Sequence, residues 1–482
     1  MRPTLRLLLA SPLLLIALAC AAIPLSCASR ISPGVPPRTD AQDFALIQRG
    51  RYLVTVADCT ACHADTEHHS AFGGGRPTVT PFGTVRAANI TPDPETGIGG
   101  WTDGQFDRAV RGGRMPNGKR LYPAMPFSYY ARMSASDTRA MRAYLATVPP
   151  VHHAVDTDQL PFPFSIRASM ILWDWLYFKA APWRSNPARS AVWNRGAYLV
   201  EGPGHCGACH TPKTLLGGDK TKQALRGYSL QGWFAPDLTQ NPRRGLAMWS
   251  RADIVDYLKT GHNRFAGAAG PMAEEVADSS SQMSDADLQA IATYLKGQPG
   301  EAPAGPPALP QSDPRMQAGA AIYEDQCSAC HQLDGHGVPF LIPDLASSAA
   351  VASREPTTLL QVILLGAQTV ATAHEPTGPQ MPSYGWQLSD IEIAAVCTYL
   401  RNSWGHAARA VSEREVRSAR KRLNRSASVA GPSAPDASAL PGTHRGWKAR
   451  MPAEVALDGF HSASSRAHIF DVPERLAVRG VA

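Results

Sequence analysis

Long apolar runs are scarce in this sequence of 482 residues. Beyond residue 28, no stretch approaches the ~20 apolar residues that a membrane-spanning helix requires. Nucleic-acid-binding motifs are missing as well, although the net charge is +7 and basic residues crowd towards the C-terminus. The sequence therefore argues against nucleic acid as a partner and against a transmembrane helix in the main body of the chain.

Cysteine is also infrequent, with nine residues, but six of the nine fall into one pattern that occurs three times. Two cysteines at this spacing can form thioethers with the two vinyl groups of a haem, and the histidine that follows becomes an axial ligand of the iron. The pattern therefore predicts three covalently bound haem c groups. Its three copies are Cys59-Thr60-Ala61-Cys62-His63, Cys206-Gly207-Ala208-Cys209-His210 and Cys327-Ser328-Ala329-Cys330-His331.

Two other interpretations of the cysteine pairs have less support than haem attachment. A redox dithiol does not need the histidine, and a thioredoxin-like site would lie near a βαβ pattern that the sequence lacks. A zinc site needs four ligands, usually from a second cysteine pair nearby, and no further pair lies close to any copy. Threefold repetition in the same context favours haem attachment.

The context of the three copies repeats as well. A helical pattern with a glycine and an aromatic residue precedes each copy, and a helical pattern that ends in Tyr-Leu follows it. A small residue on one helix and an aromatic on the other allow two helices to cross closely, so we predict three homologous modules in series. The preceding patterns are Gly50-Arg51-Tyr52-Leu53, Gly196-Ala197-Tyr198-Leu199 and Gly319-Ala320-Ala321-Ile322-Tyr323, and the closing pairs are Tyr144-Leu145, Tyr294-Leu295 and Tyr399-Leu400.

These features predict a mainly α protein built from three tandem class I-like cytochrome c domains. The 41 prolines and 40 glycines indicate loop-rich connections. We place the domains at residues 41–150, 191–300 and 312–406. Residues 151–190 form an apolar linker, whose Trp- and Tyr-rich run at 170–178 is typical of a membrane interface or of packing between modules or on a partner subunit.

The two ends of the chain differ from its middle. Residues 1–28 combine basic Arg2 and Arg6, an apolar run broken by Pro12, and a small-residue region around Cys27, which is typical of a cleaved export signal. A retained anchor and a lipid-modified Cys20 are the alternatives. At the other end, residues 407–482 read as a basic, Ala/Ser/Pro-rich tail. We predict that this tail is largely disordered and that truncation after His406 leaves the modules folded.

Each haem iron needs a second axial ligand, and methionine is available in each module. In the third module, Met381 alone lies between the haem motif and the closing helix. Met125 follows His63 by 62 residues and Met272 follows His210 by the same interval, which favours them over Met115 and Met283. The predicted iron ligands are therefore His63 with Met125, His210 with Met272, and His331 with Met381. His/Met ligation closes both axial positions and suits electron transfer rather than substrate binding.

On these residues and spacings the chain resembles the triheme cytochrome c subunit of membrane-bound bacterial dehydrogenases that oxidise alcohols, gluconate and related sugar acids. The resemblance covers roughly residues 41–406, and residues 407–482 are not part of it. It is carried by Tyr122-Pro123-Ala124-Met125-Pro126-Phe127, Pro161-Phe162-Pro163-Phe164, Trp249-Ser250, Met272-Ala273-Glu274, Met381-Pro382-Ser383-Tyr384-Gly385-Trp386 and Arg401-Asn402-Ser403-Trp404-Gly405.

The resemblance implies an electron-transfer subunit with no substrate chemistry of its own. Electrons would arrive from a dehydrogenase large subunit with a flavin or quinone cofactor and leave to ubiquinone, on the periplasmic side of the cytoplasmic membrane. A free-standing periplasmic multihaem carrier is the alternative. A haem peroxidase would need an iron with an open axial site, whereas every module here offers a methionine.

Overall fold

The computed structural model describes residues 43–65, 69–301 and 305–430, with no side-chain detail for residues 425–430. The export signal predicted at residues 1–28 lies outside this part of the chain. The chain divides into a unit of residues 1–428 and a second unit of residues 429–482, and almost all described residues belong to the first. Within the described residues no helix has the length and apolar character needed to cross a membrane.

The described chain is mostly helical, as predicted. Its helices are α1 (Phe44–Val56), α2 (Cys59–His63), α3 (Asp103–Gly112), α4 (Phe127–Tyr130), α5 (Ala135–Leu145), α6 (Ser169–Tyr177), α7 (Ala191–Glu201), α8 (Gly207–His210), α9 (Arg251–Thr260), α10 (Pro271–Asp278), α11 (Asp285–Lys296), α12 (Pro314–Gln326), α13 (Ser328–His331), α14 (Thr357–Leu365), α15 (Asp390–Leu400) and α16 (Glu413–Ala430).

The strands form three two-stranded antiparallel hairpins. The first pairs β1 (Pro77–Thr80) with β2 (Gly83–Arg86), the second pairs β3 (Arg226–Leu230) with β4 (Trp233–Asp237), and the third pairs β5 (Ala367–Gln368) with β6 (Gln380–Met381). The first two hairpins occupy the same place in the chain order, between a C-x-x-C-H turn and the helix that follows. The third lies after α14, so the third repeat is built differently in this region.

Three helix pairs cross at glycine, as the repeated sequence context predicts. A Cβ atom added to Gly50 of α1 would lie 1.9 Å from the Ala140 carbonyl oxygen of α5, and one added to Gly196 of α7 would lie 1.9 Å from the Ala290 carbonyl oxygen of α11. For Gly319 of α12 the corresponding distance, to the Ala395 carbonyl oxygen of α15, is 2.3 Å. The helices can approach this closely because glycine has no side chain at the crossing.

Local sequence explains where the closing helix of each pair begins. Ser134, Ser284 and Ser389 cap α5, α11 and α15, because each hydroxyl accepts from the backbone N–H three residues later. Behind each crossing lies a buried apolar cluster, one centred on Leu53 and Met141, one on Leu199 and Leu288, and one on Tyr323 and Ile393. We refer to the surrounding chain as the first, second and third repeats.

The first and second repeats meet through an exchange of hydrogen bonds. The hydroxyl of Tyr198 in the second repeat donates to Asp137 of the first, and the hydroxyl of Tyr52 in the first repeat donates to Asp287 of the second at 2.6 Å. Val56 of the first repeat also lies in the buried cluster of the second. The two repeats thus use the same residue types reciprocally.

The predicted disorder from residue 407 is wrong for residues 407–424. Val411, Val416, Ala419 and Leu423 are buried in the cluster of the third repeat, and Arg420 of α16 pairs with Asp390 at the start of α15. The apolar residues of α16 recur at helical spacing and form a narrow stripe along an otherwise basic helix. The prediction of disorder rested on the basic composition, which does not reveal this stripe.

Candidate functional site

Each C-x-x-C-H motif forms a short helical turn directly after the first helix of its repeat. The turns are α2, α8 and α13, which follow α1, α7 and α12. One helical turn brings residues i, i+3 and i+4 to the same side. Both cysteines and the histidine of each motif therefore lie on one side of the turn, as haem attachment requires.

The three motif histidines are oriented in the same way. The Nδ1 atom of His63 lies 2.6 Å from the Ala88 carbonyl oxygen, that of His210 lies 2.7 Å from the Pro236 carbonyl oxygen, and that of His331 lies 3.2 Å from the Pro343 carbonyl oxygen. A carbonyl oxygen only accepts, so Nδ1 carries the proton and Nε2 keeps its lone pair. This is the arrangement of a metal-ligating imidazole, whose orientation is set by a hydrogen bond from its other nitrogen.

Burial favours the neutral form of these imidazoles. It lowers the pKa of His63, His210 and His331, and the hydrogen bond to the carbonyl only partly opposes that shift. A neutral imidazole is the form that binds a metal.

The residues that supply these carbonyl oxygens were not predicted from the sequence. Each is followed by a buried Asn or Asp, and that side chain accepts hydrogen bonds from backbone N–H groups a few residues later. The signal was present as a third repeated element, because the three sites read Ala88-Asn89-Ile90-Thr91, Pro236-Asp237-Leu238-Thr239 and Pro343-Asp344-Leu345-Ala346. This four-residue element is short and its residues vary among the three sites. It is recognisable as a repeat only after the three sites are aligned by their contacts with the histidines.

A cavity of about 2640 Å³ lies beside the motifs. It is much larger than the ~300–1,000 Å³ of ordinary small-molecule pockets. Its walls bring together predicted site residues from all three repeats: Cys62, Cys206, Cys209, His210, Met272, Cys327, Cys330, His331 and Met381. Cysteine, imidazole and thioether groups around one apolar space are the donor set that covalent haem with His/Met ligation requires, so the residues fit the group.

Two further predicted residues of the first repeat pack against its core. Cys59 and Met125 both pack against the cluster around Leu53, whereas Met115 does not and instead opens a tight turn, in which its carbonyl accepts from Gly118 N–H. In the second repeat, Met283 also borders the cavity but is only 3% exposed, within the repeat's own core. Met272 lies outside that core, in a small cluster with Ala268 and Val276.

The buried thiols do not have the lowered pKa of a reactive dithiol. Burial raises the pKa of Cys206 to about 12 and that of Cys327 to about 11, whereas redox-active cysteines have lowered pKa values. Among the described residues, no three His, Cys, Asp or Glu side chains gather as ligands for a metal ion. The raised pKa values of the thiols disfavour the redox dithiol considered from the sequence.

Comparison with known proteins gives the same picture. The cytochrome c family model matches residues 194–299 and 316–404. The cytochrome c subunit of gluconate 2-dehydrogenase from Pantoea cypripedii is 38% identical over 403 residues, which cover 79% of this chain and 91% of that one. The cytochrome subunit of fructose dehydrogenase from Gluconobacter japonicus is 36% identical, covering 78% of this chain and 82% of that one.

A third relative extends over more of the chain. The cytochrome c subunit of alcohol dehydrogenase (quinone) from Gluconobacter oxydans is 34% identical over 461 residues, 92% of this chain and 94% of that one. Identity at this level over most of both chains, together with the cysteine and histidine geometry, identifies the family. The chain belongs to the cytochrome c subunits of bacterial dehydrogenases, which carry covalently bound haem c and transfer electrons.

Proposed function

We propose that this protein is a triheme c-type cytochrome, the electron-transfer subunit of a dehydrogenase complex that oxidises an alcohol, gluconate or a related sugar. It accepts electrons from a large subunit with a flavin or quinone cofactor and passes them to ubiquinone. It works on the periplasmic side of the bacterial cytoplasmic membrane. The observation that carries the proposal is the threefold histidine geometry, in which a backbone carbonyl oxygen holds each imidazole with Nε2 left for iron.

Each repeat contributes the residues that would bind its own haem. We assign Cys59, Cys62, His63 and Met125 to the first haem, Cys206, Cys209, His210 and Met272 to the second, and Cys327, Cys330, His331 and Met381 to the third. Haem c, when bound, supplies an iron that takes up and releases single electrons. The chain would orient each imidazole, offer a methionine thioether as the second ligand and keep water away from the iron with apolar walls.

The count of three is tested by removing one attachment site. Cys206→Ala combined with Cys209→Ala should lower the covalent haem content from three per chain to two, measured as intact mass and as haem absorbance after denaturation. Cys397→Ala is the matched control, because Cys397 is a fully buried core thiol outside the motifs. Retention of three haems by the double variant would refute the assignment.

The role as a subunit is tested by isolating the native complex under mild conditions. A dehydrogenase large subunit should copurify, and its substrate should reduce the haems. Addition of a ubiquinone analogue should then reoxidise them. Isolation of the cytochrome alone, with no large subunit at any stage, would favour the free-standing carrier.

A further inference from the structure

The methionine assigned to the second haem is held partly by the third repeat. Met272 packs in a small cluster of second-repeat residues, and this cluster also contains Val370 of the third repeat, which is only 7% exposed. Met125, by comparison, packs in a cluster whose members lie between residues 46 and 148, all in the first repeat. Two repeats therefore build the surroundings of Met272, whereas one repeat builds those of Met125.

The backbone of the third repeat is joined to the loop that precedes Met272. The Val370 N–H group donates to the Ala268 carbonyl oxygen at 3.0 Å. Next to this hydrogen bond, Thr369 pairs with Ala269 in an isolated antiparallel bridge. Helix α10, which carries Met272, begins two residues after Ala269. The third repeat is therefore fixed close to the start of this helix.

Glycines of the second repeat make room for the two third-repeat side chains. A Cβ atom added to Gly261 would lie 2.0 Å from Cγ1 of Val370. One added to Gly267 would lie 2.8 Å from Cγ2 of Thr369. The Thr369 hydroxyl is also hydrogen-bonded, at 3.0 Å, to Nε2 of the buried His262 in the second repeat. Both side chains thus fill spaces that the second repeat leaves for them.

The same short segment holds the methionine of its own repeat. Ala367 pairs with Met381 in the β5–β6 hairpin, and the Thr369 N–H group donates to the carbonyl oxygen two residues before Met381 at 3.0 Å. Residues 367–370 therefore lie between the strand that carries Met381 and the loop that leads to Met272. We refer to them as the bridging segment.

We propose that Thr369 and Val370 of the bridging segment are positioning residues for the axial ligand of the second haem. The inference rests on the proposed function, in which Met272 binds the second iron. A methionine side chain has three rotatable bonds and adopts many shapes, so packed neighbours are needed to keep its sulfur in one place. Residues that orient a metal ligand tune the affinity and the potential of the metal. The third repeat would in this way set the potential of the second haem.

The test compares variants of the full-length, haem-loaded protein. Val370→Ala takes two carbon atoms out of the cluster that holds Met272. It should lower the midpoint potential of the second haem, and it should reduce the near-infrared Met-to-iron absorption by up to about one third, the share of one iron in three. Met272→Leu identifies the second haem, because the potential that falls in that variant belongs to it.

Val396→Ala is the matched control. It makes the same truncation at a side chain that is 1% exposed in the core of the third repeat, outside the cluster around Met272. It should lower the stability of the third repeat and leave the potential of the second haem unchanged. An equal fall of that potential in Val396→Ala and Val370→Ala would overturn the proposal.

A double variant separates positioning from a general loss of stability. In the Met272→Leu background, Val370→Ala should cause no further fall in the potential of the second haem, because the ligand that it positions is already gone. An additive fall would overturn the proposal.

Thr369→Val gives a second measurement that does not depend on the folding of Val370→Ala. It keeps a β-branched side chain of similar size and removes the hydrogen bond to His262. The potential of the second haem should fall by less than in Val370→Ala. An unchanged potential in Thr369→Val and in every folded Val370→Ala sample would contradict the positioning role.

Met272→Leu also separates the two proposals. If it lowers one potential in a protein with three haems while Val370→Ala and Thr369→Val lower none, the positioning role is refuted and the proposed function stands. If Met272→Leu changes no potential, the ligand assignment is refuted and the positioning role with it. Fewer than three haems in the unaltered protein would refute the triheme assignment on which both rest.

Discussion

The first two repeats and the third share one helix-crossing unit but complete it in different ways. In the first two repeats, the first helix carries an arginine and a tyrosine that bind carboxylates. Each carboxylate belongs to the third residue of a closing helix. Arg49 pairs with Asp137 inside the first repeat and Arg195 pairs with Asp287 inside the second. The tyrosines cross over, because Tyr198 donates to Asp137 and Tyr52 donates to Asp287.

The third repeat has none of these partners. The positions equivalent to the arginine and the tyrosine are Ala318 and Ala321. Glu392, the equivalent acidic residue, is exposed, and its hydrogen bonds are with Ser389, which caps its own helix. This repeat instead packs against α16, whose Arg420 pairs with Asp390 and whose Val416 is fully buried.

The comparison shows that one crossed helix pair does not cover its own apolar surface. A neighbour must supply the rest, and either a second copy of the repeat or a C-terminal helix can do so. The first two repeats thus complete each other's closing helices, whereas residues 407–424 complete the closing helix of the third.

Removal of α16 should have the largest effect. Truncation after His406 exposes the core of the third repeat and removes the burial of Val416 and Leu423, at about 1.5–3 kcal/mol for each of the two side chains. We expect the third repeat to become sensitive to protease while the first two stay resistant, as judged by limited proteolysis and mass spectrometry.

Truncation after Ala430 is the matched control for this deletion, because it leaves the described part of α16 in place. It should leave the protease resistance of all three repeats unchanged. If truncation after His406 were equally harmless, α16 would not stabilise the third repeat.

Loss of the carboxylate that Arg49 and Tyr198 share should have the second-largest effect on stability. Asp137→Asn weakens charge-assisted hydrogen bonds from Arg49 and Tyr198, at a cost of about 1.5–3 kcal/mol in the free energy of unfolding. The equivalent change in the third repeat, Glu392→Gln, should cost less than about 1 kcal/mol, because that side chain is exposed. Denaturant unfolding followed by far-ultraviolet circular dichroism measures both, and equal costs would remove the distinction between the repeats.

The same carboxylates predict a pH dependence. Burial alone would raise the pKa of Asp137 and Asp287, but hydrogen bonds from Tyr198 and Arg49, and from Arg195 and Tyr52, lower it below the ordinary value. Their stabilisation is therefore fully present above the unfolded pKa of about 3.9 and is lost as the pH falls through the folded pKa. Below about pH 4 the first two repeats should lose stability, and the variant Asp137→Asn should lose less than the unaltered protein.

The helix crossings provide a third comparison. Gly196→Ala places a methyl group 1.9 Å from a carbonyl oxygen, against 2.3 Å for Gly319→Ala. Both should destabilise by about 1–3 kcal/mol through overpacking, with the second repeat more affected than the third. Gly112→Ala is the control, since a Cβ atom there meets nothing within 4 Å. Thermal unfolding of the three variants should follow this order, and the opposite order would mean that the third crossing is the tighter one.

The methionine ligands should have the smallest effect on stability. Met125→Leu and Met381→Leu keep volume and apolarity, so folding should change by less than about 1.5 kcal/mol. Each should remove about one third of the near-infrared Met-to-iron absorption, because one of three irons loses its thioether. Met115→Leu should leave that absorption intact. Loss of the signal in Met115→Leu and not in Met125→Leu would reassign the first ligand and weaken the case for Met272, which rests on the same interval.

The third repeat also shows why the histidine-to-methionine interval differs along the chain. It spans 62 residues in the first two repeats and 50 in the third. The carbonyl oxygen that holds the histidine lies 25 and 26 residues downstream in the first two repeats but only 12 in the third. The whole difference therefore arises before the carbonyl, where the first two repeats insert a hairpin and the third does not.

Local chemistry was readable from the sequence. The spacing of Cys59, Cys62 and His63 places three groups on one turn, and the glycine and tyrosine patterns predicted close helix crossings, because both depend on residues a few positions apart. The mainly helical class followed from the same signals. Family membership was equally accessible, since it rests on these motifs and their order.

Tertiary structure alone decided the contacts between distant residues. The pairing of Tyr52 with Asp287 joins side chains 235 positions apart, and no local pattern determines which acid a tyrosine will meet. The stripe of Val416, Ala419 and Leu423 has helical spacing, but whether it is buried depends on the apolar surface left open by α14 and α15. This basic, Ser-rich segment is ordered because packing on that apolar surface offsets the entropy lost on folding. The composition of the segment gives no information about the surface on which it packs.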